Sequence, residues 1–154
     1  KDRLKEKDGR LLRAAGLEEF GRLYPHQLSG GMAQRVSLIR TMINNPEVFL
    51  LDEPLGALDA FTRMNMQDEI LKMRRAGQIV LLVTHDIDEA VYLGSRVLVM
   101  APRPGRIRED IAVDLEYPRN RTSARFLKYR NKVMEMLDFG HAEAGAEVEA
   151  ELAL

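Results

Sequence analysis

A pair of acids at the end of an apolar run is the first place where this sequence can do chemistry. In "VFLLDEP", residues 48–54, Asp52 and Glu53 follow Val48, Phe49, Leu50 and Leu51. One carboxylate there offers a hard oxygen ligand to a divalent cation, and a second can polarise a water molecule. Thr84, His85 and Asp86 stand in the same relation to "IVLLV" at 79–83. A histidine so placed can hydrogen-bond a phosphate or a water. The third candidate is "HQLSGGMAQRVSLIR", residues 26–40, in which Ser29, Gly30 and Gly31 precede an apolar-periodic segment. Backbone N–H groups at a helix start lack partners and carry partial positive charge. Glycine lets an anion approach them closely, and a serine hydroxyl adds a donor. Each feature has a plainer reading on its own: a loop with a serine cap, a solvated pair of acids, a structural histidine.

Hydrophobic spacing gives the elements that must position these residues. Residues 3–15 read as a polar, surface-lying helix weakened by Gly9, and Gly16, Gly21 and Pro25 mark a connector. Met32, Val36, Ile39 and Ile43 recur at helical spacing up to Asn44–Asn45, where Pro46 disfavours further helix. The run at 48–51 is too short for a buried helix and suits a strand covered on both faces. A helix over about 58–76 follows, with Phe61, Ile70 and Met73 facing inward and Gly77 as its C-cap. Residues 79–83 give a second strand. Asp86 opens another helix, with Glu89 placed for a capping box, Ile87, Ala90 and Val91 as the inner stripe, and Gly94 at its end. "RVLVM" at 96–100 reads as a third buried strand, "PRPG" at 102–105 as a turn, and "RIREDIAVDL" as an alternating, edge-like strand. Thr122 or Ser123 starts a last helix carrying Phe126, Val133 and Leu137, ahead of an acidic, alanine-rich tail. Alternating apolar strands and helices argue for an α/β fold, a mostly parallel sheet flanked by helices on both faces. Such sheets bind ligands beyond the carboxyl ends of their strands, where Asp52, Glu53 and His85 lie.

Composition narrows the classes. The 154 residues suit one domain with a real core. A net charge of −1 gives no global attraction to nucleic acid or anionic lipid. The absence of cysteine excludes disulfides and thiolate chemistry. No run approaches the roughly 20 apolar residues of a spanning helix. Arg103, Arg106, Arg108, Arg119, Arg121, Arg125, Lys128 and Arg130 cluster toward the C-terminal part, but Glu109, Asp110, Asp114 and Glu116 interleave with them. A mixed solvated surface fits that pattern better than a nucleic-acid face, because strong phosphate attraction needs charge of one sign.

Taken together, the motifs resemble the nucleotide-binding subunit of ATP-binding cassette (ABC) transporters. "LSGGMAQR" is similar to that family's signature motif, "VFLLDEP" to its Walker B strand with the adjoining glutamate, "LGALD" at 55–59 to its D-loop, and His85 in "LLVTHD" to its switch histidine. They occur in family order, from about Gly16 to Gly105. The resemblance implies a P-loop NTPase-like fold, truncated, with part of the ABC helical subdomain at its N-terminus. It divides the chain into a partial helical subdomain at 1–45, a core at 46–116 and a C-terminal helix and tail at 117–154. It implies ATP hydrolysis with Mg²⁺, in a dimer whose subunits meet head to tail and enclose two ATP molecules. Ser29, Gly30 and Gly31 would then hydrogen-bond the terminal phosphate of ATP held by the other subunit, and Asp59 would cross the interface to couple the sites. Asp52 would hold Mg²⁺ through water, while Glu53 and His85 would act catalytically within their own subunit.

Finer features, "YPHQLSGGM", "EPLGALDAFTR", "HDIDEAVYLGSRVLVM" and "PRPGRI", resemble the ATPases of nitrate, sulfonate and taurine importers. That implies a peripheral protein at the cytoplasmic face of a membrane, with permease subunits as partners and a periplasmic or extracellular solute-binding protein beyond them. Two departures stand out. Met32 occupies a place where the family most often has glutamine, and no G-x-x-x-x-G-K-[ST] phosphate loop occurs. The resemblance therefore implies the C-terminal part of a subunit, which alone should bind ATP poorly and leave a sheet edge unpaired. Two other readings stay open. One is a soluble ABC-type ATPase acting on DNA or the ribosome, although residues 1–25 show none of the heptads that chromosome members carry. The other is a non-enzymatic module that only binds partners.

Overall fold

Ser29, Asp59 and Asp86 each stand one residue before a helix, and each accepts a hydrogen bond from a first-turn amide. These three caps fix where the chain turns from loop to helix in a computed structural model. The structure describes residues 9–44, 46–74 and 76–137. The chain divides into two units, Lys1–His85 and Asp86–Leu154.

In the first unit, helix α1 (9–14) leads through short 3-10 turns at Glu18–Phe20 and Pro25–Gln27 to helix α2 (Gly30–Ile43). Strand β1 (Val48–Asp52), helix α3 (Ala60–Met73) and strand β2 (Ile79–Val83) follow. β1 and β2 are parallel, in register from Val48 against Ile79 to Asp52 against Val83. The core gathers Leu11, Ala15 and Leu17, then Leu38, Ile39 and Met42 of α2, Phe49 and Leu51 of β1, Leu55 and Leu58 of the loop, and Met66 of α3. Each such side chain contributes about 1.5–3 kcal/mol of burial at most. Glu69 of α3 is buried, and its carboxylate is met by Arg10 Nε at 2.9 Å and Lys72 Nζ at 2.8 Å.

Three expectations fail here for physical reasons. The strands are not covered on both faces: Phe49 and Leu51 are buried while Val48, Leu50, Ile79, Leu81 and Val83 are exposed. Helices cover one face of this sheet, and the other side of the apolar runs meets water. Phe61 is 74% exposed rather than inward. It lies five residues before the buried Met66, which at about 100° per residue puts it on the far side of α3. The helix also stops at Met73, with Arg74 already extended, so Gly77 is not its C-cap. Gly77 instead uses a φ of +82° in the turn that enters β2. Ile70 packs against the core as expected; the expectation for the Met73 side chain, like those for residues 3–8 and for the acidic tail, falls outside the described residues.

The second unit contains helix α4 (Ile87–Leu93), strands β3 (Arg96–Ala101) and β4 (Arg106–Ala112), and helix α5 (124–137). Asp86 caps α4 by accepting from Glu89 N–H at 3.0 Å. Val91 is fully buried, Ile87 and Ala90 are half-buried, and Tyr92 and Leu93 join the buried side. β3 pairs antiparallel with β4, with a register shift between Val99 and Met100. The short turn at 102–105 between them suffices for an antiparallel pair. β3 alternates accordingly, Val97 and Val99 buried, Leu98 and Met100 exposed. Ser123 is the residue that starts α5, its Oγ accepting from Phe126 N–H at 3.2 Å. Phe126 and Val133 are buried, but Leu137 is exposed.

Arg119 departs from the mixed-surface reading, because it is only 6% exposed. Its guanidinium donates to the carbonyls of Val91, Tyr92 (3.3 Å) and Gly94 (2.7 Å) at the end of α4, and to those of Val113 (3.3 Å) and Leu115 (3.2 Å). The last carbonyls of a helix lack intrahelical donors, and this side chain supplies them. Tyr117 helps from both sides: its ring lies 4.2 Å from the guanidinium carbon and its hydroxyl donates to Leu93 O at 2.8 Å. Among the described residues no helix is long and apolar enough to cross a membrane.

Candidate functional site

Parallel pairing of β1 and β2 brings their carboxyl ends side by side, and the register decides which residues meet there. Asp52 opposes Val83. Glu53 continues the ladder, its N–H donating to Val83 O at 2.9 Å. Two residues beyond the end of β2, His85 lies with Nδ1 2.8 Å from Glu53 Oε2. The pair is open to water, with the histidine side chain 80% and the glutamate 40% exposed. An exposed contact of this kind contributes about 0–1 kcal/mol to stability. It orients the two groups more than it holds the fold together.

The backbone at Glu53 is unusual. Its φ is +45°, a left-handed conformation that side-chain-bearing residues seldom adopt. Surrounding bonds over-determine it. Besides the N–H bond to Val83, the Glu53 carbonyl accepts from Gln34 Nε2 at 3.2 Å and from Gly56 N–H at 3.4 Å. Pro54, Leu55 and Leu58 are buried just beyond, anchoring the loop. Strain of about 1–3 kcal/mol held by the surroundings is typical of functional turns.

Ser29 ends an extended stretch and caps α2, its Oγ accepting from Met32 N–H at 3.3 Å. That bond uses the oxygen and leaves the hydroxyl hydrogen to donate elsewhere. Gly30 and Gly31 are the first two residues of α2. Neither has a positive φ, and a Cβ built on either would meet nothing within 4 Å. Among the described residues nothing demands glycine at these two positions. The helix start is thus open at a place where its N–H groups are unpartnered within the helix.

Asp59 caps α3 by accepting from Thr62 N–H at 2.9 Å. The backbone hydrogen bond from Thr62 is the main cause that holds its carboxyl below the usual aspartate value. Asp52 is exposed at the end of β1. Among the described residues no group of three or more His, Cys, Asp and Glu side chains gathers round a point that could hold an ion. A single exposed carboxylate fits Mg²⁺, which keeps several waters and takes phosphate oxygens alongside one or two protein carboxylates.

The structure therefore joins Glu53 to His85 directly, and the helix carrying Ser29, Gly30 and Gly31 to Glu53 through Gln34. Sequence reasoning had no place for Gln34, nor for Arg35, which donates to Ala15 O at 2.8 Å and to Gly31 O at 3.3 Å and so ties the start of α2 to the turn after α1. Their only sequence signal is position: both lie one helical turn beyond the glycines, and Gln34 is three residues past Gly31.

Comparison with known proteins follows the same motifs. Residues 4–56 match the ABC transporter family. The chain is 52% identical over 129 residues to an ABC transporter ATP-binding protein of Methanocaldococcus jannaschii, covering 83% of this chain and 48% of the relative. It is 46% identical over 133 residues to the aliphatic sulfonates import ATP-binding protein SsuB of Bacillus licheniformis, covering 86% of this chain and 52% of the relative. The SsuB of Bacillus thuringiensis subsp. konkukian is 43% identical over 141 residues, covering 91% of this chain and 55% of its own length. The chain spans about half the length of these curated relatives. With the motifs in family order and relatives matching most of its residues, the chain belongs to the ABC transporter family of ATP-binding proteins.

Proposed function

We propose that this chain supplies the signature-bearing and base-bearing part of an ATP-hydrolysing subunit that drives solute import, with an aliphatic sulfonate as the solute class. The observation that carries the ATPase reading is the Glu53–His85 contact of 2.8 Å at the carboxyl ends of two parallel strands. The solute class rests on the names of the relatives. Glu53 orients a water and draws its proton as the oxygen attacks the terminal phosphorus of ATP and the bond from that phosphorus to the bridging oxygen breaks, releasing ADP. His85 meets the Glu53 carboxylate through Nδ1 and acts beside it on the water or the terminal phosphate. Asp52 would hold Mg²⁺ through water, and the ion would supply charge neutralisation at the phosphates.

Ser29, Gly30 and Gly31 present a hydroxyl and helix-start N–H groups to the phosphate of a nucleotide carried by a second subunit. The open space at both glycines supports that role. Asp59 stands at the head of α3 to couple the two sites. The partners are a second nucleotide-binding subunit, the permease subunits of a membrane importer at its cytoplasmic face, and through them a solute-binding protein. The lysine-bearing phosphate loop is not among these 154 residues, so the test uses the full-length subunit. Glu53→Gln should lower Mg-ATP turnover by about 10²–10⁴-fold while nucleotide binding persists. Turnover equal to that of the parent removes Glu53 from this role and the proposal with it.

A further inference from the structure

We infer that Gln34 is a positioning residue that makes the readiness of Glu53 depend on the placement of the helix bearing Ser29, Gly30 and Gly31. The inference rests on the function proposed above. The Glu53 carbonyl has two donors, Gln34 Nε2 at 3.2 Å and Gly56 N–H at 3.4 Å. The second is at the long end for an N–H···O bond, so the amide of Gln34 is the better of the two. Glu53 sits at φ +45°, a conformation that relaxes once its peptide is released. With the Gln34 bond gone, the carbonyl of Glu53 keeps only the longer Gly56 bond, and the carboxylate that meets His85 is held less firmly.

The geometry also names what is being read. Gln34 lies on α2 one turn from Gly30 and Gly31, so residues three and four apart share that helix face. α2 is a stiff body, fastened at its start by Arg35 to Ala15 O and Gly31 O. A contact of the glycines with a phosphate moves or steadies α2, and the Gln34 bond conveys that to the Glu53 peptide 19 residues away in sequence. Because the glycines serve the nucleotide of the second subunit and Glu53 serves its own, this amide couples the occupancy of one pocket to the chemistry of the other.

The test uses the full-length subunit with Mg-ATP and the variants Gln34→Leu and Gln34→Glu. The second keeps the shape of the side chain, exchanges the donor for an acceptor and adds a negative charge. Both should lower kcat by about tenfold, within the range of typical coupling between sites, with KM for ATP changed less than about twofold. Their unfolding midpoints should match the parent. In a Glu53→Gln background the Gln34 substitutions should cost nothing further, because the group they position is already lost. Parent-like kcat in both variants, a loss confined to KM, or losses that multiply with Glu53→Gln each overturn the inference. The two readings fail separately: an active Glu53→Gln subunit sinks the proposed function, whereas an inactive Glu53→Gln subunit with fully active Gln34 variants sinks only the coupling.

Discussion

Gly30→Ala and Gly31→Ala, made together, separate what the fold needs from what a ligand needs. Both glycines occupy the first turn of α2, neither has positive φ, and an added methyl meets nothing within 4 Å. Alanine there loses less backbone entropy on folding than glycine, a gain of about 0.4–1 kcal/mol at each compatible site. The two methyl groups share no contact partner, so the gains should add to about 1–2 kcal/mol. At a urea slope of about 1–3 kcal/mol per molar, the unfolding midpoint of the 154-residue chain should rise by about 0.3–2 M. Far-UV circular dichroism against urea measures this directly. On the function proposed above, the same pair of substitutions in the full-length subunit should depress Mg-ATP turnover by tenfold or more, because two methyl groups would then stand where phosphate oxygens approach the backbone. A less stable variant would show that the fold itself requires these glycines. A more stable variant with undiminished turnover would show that no phosphate comes to them.

Other expectations follow from the remaining contacts. Arg119→Met removes the guanidinium donors to the carbonyls of Val91, Tyr92 and Gly94, and the loss, after relief of the buried charge, should be about 3 kcal/mol. It is readable by tyrosine fluorescence because Tyr92, Tyr117 and Tyr129 all lie in that unit; a loss below about 1 kcal/mol refutes the capping role. Arg119→Lys should not rescue it, since one ammonium cannot serve the spread of carbonyls that a planar guanidinium reaches. The Asp59 carboxyl is held below its usual value by the Thr62 amide, so its contribution to stability is fully present above about pH 4 and is lost as pH falls through the depressed value. The difference in melting temperature between the parent and Asp59→Asn should therefore shift in favour of the variant on going from pH 5 to pH 2.5; a constant difference refutes the assignment. Leu50→Thr with Leu81→Thr removes exposed aliphatic surface from β1 and β2 and should reduce association with rising concentration, as sedimentation velocity would show.

The strands and helix starts were legible because their causes are local. Val48–Asp52 and Ile79–Val83 announce themselves as apolar runs, and Ser29, Asp86 and Ser123 as caps. Which face of a strand is covered is decided by what lies above it, and that information is not in the strand: Leu50 and Leu51 look alike in sequence, yet one meets water and the other the core. Phe61 misled for a similar reason, since its apolar ring says nothing about its angle round α3 relative to Met66. The acid and histidine of the site were visible as residue types at strand ends, and parallel pairing then brought them into contact. Gln34 and Arg119 were not, because their partners are backbone carbonyls 19 residues away for the one and up to 28 for the other. A carbonyl is present at every position, so no sequence pattern marks the one that will be used.

If Glu53 serves as the base proposed above, its left-handed backbone sets heat resistance against turnover at a single position. Left-handed geometry costs a side-chain-bearing residue about 1–2 kcal/mol, and glycine or asparagine would escape most of it. Selection for ruggedness alone should therefore drive position 53 toward those two residues. Each step that way would discard the carboxylate, so a tougher descendant bearing it must have gained its resilience elsewhere in the chain.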